Sequence, residues 1–88
     1  MYLHLGKDYV VRKAAILAMF DLDNSSQSHL TRQFLLRAEK AGEVVNAAGR
    51  ELPKSFVVCA EQGRQSVYLS QLNASTLLRR SESKGVIT

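Results

Sequence analysis

Three sets of side chains in this sequence are able to do chemistry. His4, His29 and Cys59 offer metal-binding nitrogen and sulfur, Asp21 and Asp23 offer paired carboxylates, and arginines and lysines recur where the chain reads as turning. A zinc cage needs several ligands at close spacing, and no pair among His4, His29 and Cys59 has it. Cys59 stands between Val58 and Ala60, where it reads as a small buried hydrophobe rather than a nucleophile. As the sole cysteine it also rules out an intrachain disulfide, which fits a reducing compartment. Asp21 and Asp23 suggest a hard-cation site or an acid–base pair, but no third ligand or glycine-bearing calcium loop follows, so they read as a solvated strand exit. Gly6, Gly42, Gly49, Gly63 and Gly85 are scattered one to a turn, so no phosphate loop forms. With no nucleophile, base and orienter to assemble, the chain reads as a non-enzyme that takes no metal, cofactor or small-molecule ligand.

The basic residues carry more. Arg12-Lys13 follows the first expected hairpin, Arg50 and Lys54 flank a loop after Gly49, Arg64 sits on a tight turn, and Arg79-Arg80 closes the last expected helix. A long cationic side chain on a turn reaches duplex phosphates, and each contact releases condensed counterions. Taken singly each also suits an ordinary surface, and Lys40, Arg79 and Arg80 suit helix C-termini through the dipole. Twelve Lys and Arg against eight Asp and Glu give a net charge of +4, a modest excess that matters for nucleic acid only when clustered.

The elements that must position these residues fit one small domain, residues 1–80, with residues 81–88 as a tail; 88 residues with 45% hydrophobic and 23% charged side chains leave no room for a second. The longest apolar run, Ala14 to Phe20, is far short of the roughly 18 residues a membrane-spanning helix needs. The N-terminus has no basic and apolar leader pattern, so the chain reads as cytoplasmic. Tyr2 to Leu5 and Tyr9 to Val11 read as a hairpin turning at Gly6-Lys7-Asp8. Ala15 to Leu22 reads as a strand covered on both sides, with a helical turn at Arg12 to Ala15 left open. Asn24 with Gln27 matches a capping box, and Leu30, Phe34, Ala38 and Ala41 form the inward stripe of the main helix, ended by Gly42. Glu43 to Ala47, Lys54 to Ala60 and Ser66 to Ser70 read as strands, with a tight turn at Glu61 to Arg64. Asn73 caps a short last helix, Ala74 to Arg80, whose Leu77 and Leu78 pack back. The fold class is α+β: a small antiparallel sheet, one main helix and a short C-terminal helix.

Lys54 to Ala60 and Ala15 to Leu22 are apolar on both faces. One long and one short helix cover a single face of so small a sheet, so the other face either packs on a second subunit or is buried by tight curling.

In order and spacing, several segments carry a family likeness: Tyr2-Leu3-His4-Leu5-Gly6 with Val10-Val11, and Ile16 to Asp21. To these are added Gly49-Arg50, Pro53-Lys54-Ser55 with Val57-Val58, and Leu69-Ser70 with Ser75-Thr76-Leu77. Together, from Tyr2 to about Arg80, they resemble the RemA/RemB family, and more closely its RemB branch. The resemblance implies a bacterial, nucleoid-associated DNA-binding regulator of extracellular matrix genes in biofilm formation, with no cofactor, a LytTR-like domain and a ring-shaped homo-oligomer. It also implies that Arg50 touches DNA, that Lys54 holds a neighbouring basic position, and that Arg12 or Lys13 approximates another. Glu51 departs from the consecutive arginines of the RemA branch, and an acid there repels phosphate.

Double-stranded DNA is thus the expected partner, held by Arg50 and Lys54, with Arg12, Lys13 and Arg64 as further candidates. The alternative is a protein-interaction module whose apolar sheet face binds another regulator. A third reading, single-stranded RNA stacked on Tyr2, Tyr9, Phe56 or Tyr68, has the residue types without an RNP-like motif.

Overall fold

Alternation in the first residues sends Leu3 and Leu5 inward, both fully buried, and Tyr2 and His4 outward. They form β1 (Tyr2–Gly6), antiparallel to β2 (Tyr9–Arg12), as a separate two-stranded sheet. The computed structural model describes residues 1–6, 8–22 and 29–82, so Lys7 of the turn, the Asn24–Gln27 capping box and Asp23 lie outside the described residues. The helical turn left open at Arg12 to Ala15 is present as a 3-10 turn, Lys13–Ala15, leading into β3 (Ile16–Asp21).

Helix α1 (His29–Lys40) ends as its sequence requires. Gly42 takes φ of 73°, its N–H donates to the Glu39 carbonyl, and the Glu43 N–H donates to the Ala38 carbonyl. These two bonds satisfy carbonyls that the helix end would otherwise leave orphaned. The inward stripe differs from expectation at both ends: Ala41 is exposed beyond the helix, Leu30 is 75% exposed, and Thr31 takes the place of Leu30 beside Phe34 and Ala38. A spacing of three, then four, fits a 3.6-residue period as well as four and four, so the pattern alone did not fix the stripe's edge.

Strands β4 (Val44–Asn46), β5 (Ser55–Glu61) and β6 (Arg64–Ser70) complete a four-stranded sheet ordered β3-β5-β6-β4. The α+β class holds, and β3, β5 and β6 are antiparallel as expected. β4 departs from the antiparallel expectation by pairing parallel to β6, Val44 opposite Val67 and Asn46 opposite Leu69. β6 is therefore inserted between β4 and β5, and the connection 47–54 straddles its C-terminal end. At the opposite end Gln62 and Gly63 both have positive φ, 54° and 77°, the pattern of a type I′ hairpin turn. Asn73 caps α2 (Ala74–Ser81) as expected, its side-chain oxygen accepting from the Thr76 N–H at 2.8 Å. Ser81, expected to open the tail, closes this helix. Leu77 is fully buried, whereas Leu78 is 52% exposed, so only one of the two leucines packs back.

Both sheet faces are covered within one chain. Phe56, Val58 and Val67 pack with Phe34, Leu35 and Ala38 of α1. Val57 and Cys59, on the other face, pack with Leu3, Leu5 and Val11 of the hairpin and Leu77 of α2. The two-faced strands thus do not call for a second subunit: the opening hairpin, unassigned to either face at the level of sequence, lies over the face that the main helix leaves bare. One buried serine pins the hairpin there, and a second holds the segment that follows β6. The Ser70 hydroxyl donates to the Leu5 carbonyl at 2.6 Å, and the Ser55 hydroxyl donates to the Leu72 carbonyl at 2.6 Å.

Gly6 ends β1 with φ of 132°, and a Cβ there would lie 2.6 Å from Oε1 of Gln71. Gly6→Ala is expected to cost about 1–3 kcal/mol, combining backbone strain with displacement of Gln71. Urea denaturation checks it, and an unchanged midpoint would remove Gly6 as the hairpin's anchor.

Candidate nucleic-acid interface

β5 separates the sequence-predicted basic residues into two groups. Lys54 precedes its first residue and Arg64 pairs with Glu61 at its last, a separation of about 20 Å at roughly 3.3 Å per strand residue. Arg50 lies with Lys54 at one end; Arg12, Lys13 and Arg64 lie toward the other. The five do not form one cluster.

The residues at the far end are partly committed to the fold. Arg12 Nη1 donates to Oε2 of Glu61 at 2.6 Å, tying the hairpin to the β5–β6 turn. With both side chains about half exposed, this pair contributes at most about 1 kcal/mol. Lys13 Nζ donates to the Ser81 carbonyl at 3.0 Å, placing a cation at the negative end of α2. Arg64 has no ion pair or side-chain hydrogen bond among the described residues and, with Arg12, Glu61, Tyr2 and Tyr68, lines a cleft of about 400 Å³.

The near end is built differently. Ala47 and Ala48 are fully buried and root the 47–54 connection in the core. Asn46 folds back on the loop, its Oδ1 accepting from the Ala48 N–H and its Nδ2 donating to the Gly49 carbonyl, both at 3.1 Å. Gly49 supplies a φ of 64°, and the Glu51 N–H donates to the Ala48 carbonyl at 3.1 Å. Beyond Pro53, the Lys54 N–H donates to the Ser70 carbonyl at 2.8 Å, and its carbonyl accepts from the Leu22 N–H at 2.9 Å. Arg50, Glu51, Leu52 and Lys54 are all exposed on this braced backbone. The Arg50 and Lys54 side chains have no ion pair or hydrogen bond among the described residues, so both charges are open to an anionic partner.

Sequence reasoning located Arg50 and Lys54 but missed the brace. An asparagine at a strand end three residues before a glycine was the signal for it. It also missed Leu52, which is 81% exposed between the two cations.

Other candidate chemistry does not gather. Among the described residues no group of three His, Cys, Asp or Glu is placed to hold a metal, and no helix is long and apolar enough to cross a membrane. Cys59 is buried as expected, and burial pushes its thiol pKa up, aided by the Glu61 carboxylate. The folded state therefore keeps a proton that the unfolded chain loses above the ordinary thiol value of about 8.5. Stability from this group is complete below that pH and falls as pH rises toward the raised folded value. Denaturation from neutral to alkaline pH should show this loss, and Cys59→Ala should remove that part of the slope; an identical slope in both proteins would refute the assignment.

The sequence profile of the RemA-like family, described as extracellular matrix regulatory protein A-like, matches residues 2–80. The chain is also 37% identical over 82 residues to extracellular matrix regulatory protein B of Bacillus subtilis (strain 168), covering 93% of this chain and 91% of that protein. The family is one of regulatory proteins, not of enzymes. With a match running from the first strand through the body of the last helix, the chain belongs to the RemA-like family of extracellular matrix regulators.

Proposed function

We propose that this protein is a cytoplasmic, nucleoid-associated transcriptional regulator of biofilm matrix genes that binds duplex DNA as a ring-like homo-oligomer. The observation that carries the reading is the braced 47–54 connection, which holds Arg50 and Lys54 exposed and, among the described residues, without an ion pair or side-chain hydrogen bond. Because the loop is already ordered, contact with phosphate does not first have to freeze the backbone. Arg50 and Lys54 make the principal contacts, and Arg64 meets DNA only where neighbouring subunits bring the other end of the sheet to the same path. Phosphate contacts set affinity, while groove shape and DNA bending set preference. Several weak loops on one duplex add through effective concentration, so assembly and binding reinforce each other.

Self-association is supported by β3, an edge strand with Leu17 at a bulge, 64% exposed, and Phe20, 40% exposed. An apolar edge of this kind is a template for another chain. The second reading, a protein-interaction module without DNA contact, is favoured by the apolar cavity of about 340 Å³ between α1 and β4, lined by Leu35, Leu36, Val44 and Leu69.

Fluorescence anisotropy against a promoter-length duplex, from roughly 50 to 200 mM salt, separates the two. Cooperative binding that weakens steeply with salt is expected. Absence of binding at the lowest salt would overturn the DNA reading and leave the interaction module.

A further inference from the structure

A single exposed leucine is ordinary on a protein surface. Leu52 is set apart by its platform. It follows a turn closed by the Glu51 N–H and the Asn46 amide, precedes Pro53, and is bracketed by Arg50 and Lys54, exposed cations without partners among the described residues. At 81% it is the most exposed large apolar side chain among the described residues. One leucine between two charges gives too little apolar area for a specific protein interface. It gives what a DNA wedge requires: an aliphatic side chain that enters between base steps while neighbouring cations hold the phosphates on either side.

Resting on the DNA reading above, we infer that Leu52 is an apolar wedge that inserts between base steps in the minor groove and kinks the duplex, with Arg50 and Lys54 gripping the flanking backbone. Preference then falls on flexible pyrimidine–purine steps, which unstack most easily, so the loop selects sequence without a base-specific hydrogen bond. The braced backbone matters because a wedge on a slack loop would yield before the stacked bases do.

The test uses the full chain and a mixed-sequence duplex a few helical turns long, carrying donor and acceptor dyes at its ends. Binding of the unmodified protein should raise energy transfer as the ends approach. Leu52→Ala should bind with the same salt slope and an affinity reduced by about tenfold or less, because the phosphate contacts remain, but without the rise in transfer. Leu52→Met, which keeps an insertable aliphatic chain, should restore it. Equal bending by Leu52→Ala and the unmodified protein would overturn the wedge while leaving DNA binding intact. A lower assembly mass for Leu52→Ala would overturn it in favour of a protein contact at Leu52. No binding by the unmodified protein would overturn the wedge together with the DNA reading.

Discussion

Arg50→Ala with Lys54→Ala is expected to weaken duplex binding on the order of 50-fold per engaged subunit at about 0.1 M salt, because each lost phosphate contact removes about 0.9 from the logarithmic salt slope. The melting temperature should stay where it is. Both side chains are exposed without partners among the described residues, and the bonds that Lys54 makes to Ser70 and Leu22 are backbone bonds that alanine keeps. Arg64→Ala is the control by position: it removes one positive charge, where the double variant removes two, about 20 Å away at the other end of β5. A control loss of half the double variant's on the logarithmic scale would mean that affinity follows net charge and that the 47–54 loop has no special part.

Phe56→Ala should be the most destabilising single change, at about 3–5 kcal/mol. Its ring is 2% exposed and joins three elements, stacking on Phe20 of β3 at 4.9 Å and facing Phe34 of α1 at 6.2 Å between centroids. Truncation leaves a void that β5 cannot collapse to fill, because Phe56 is also locked in register opposite Leu69. Small domains have a total stability near the low end of about 5–15 kcal/mol, so a large unfolded fraction at 37 °C is expected. Guanidinium unfolding followed by circular dichroism reads the loss; a cost below about 1 kcal/mol would show that α1 is not seated through this ring.

Features written into neighbouring residues were legible in the sequence. Gly42 announces a left-handed helix end, Asn73 a cap, and Tyr2 to Val11 a hairpin, since each depends on atoms a few residues away. Features set by distant partners were not. Val44 to Asn46 reads as a strand of an antiparallel sheet, and only its pairing with Val67 to Leu69, some twenty positions later, makes it parallel. The site divides the same way. Gly49 and Pro53 mark a loop, and Arg50 and Lys54 stand out as its cations, but whether Arg12 was free depended on Glu61, 49 residues away. Leu52 gave no signal because its exposure follows from the loop's path over the end of β6.

Insertion of β6 between β4 and β5 also orders events on the ribosome. The loop that carries Arg50 and Lys54 is synthesised early, yet its closing bond goes to the carbonyl of Ser70, and the hairpin beneath it is held by a bond spanning 65 residues. Contacts of such long range make folding slow and place these pairings late, after most of the chain has emerged. A nascent or truncated copy ending before Ser70 therefore carries the charges without the scaffold that holds them in place.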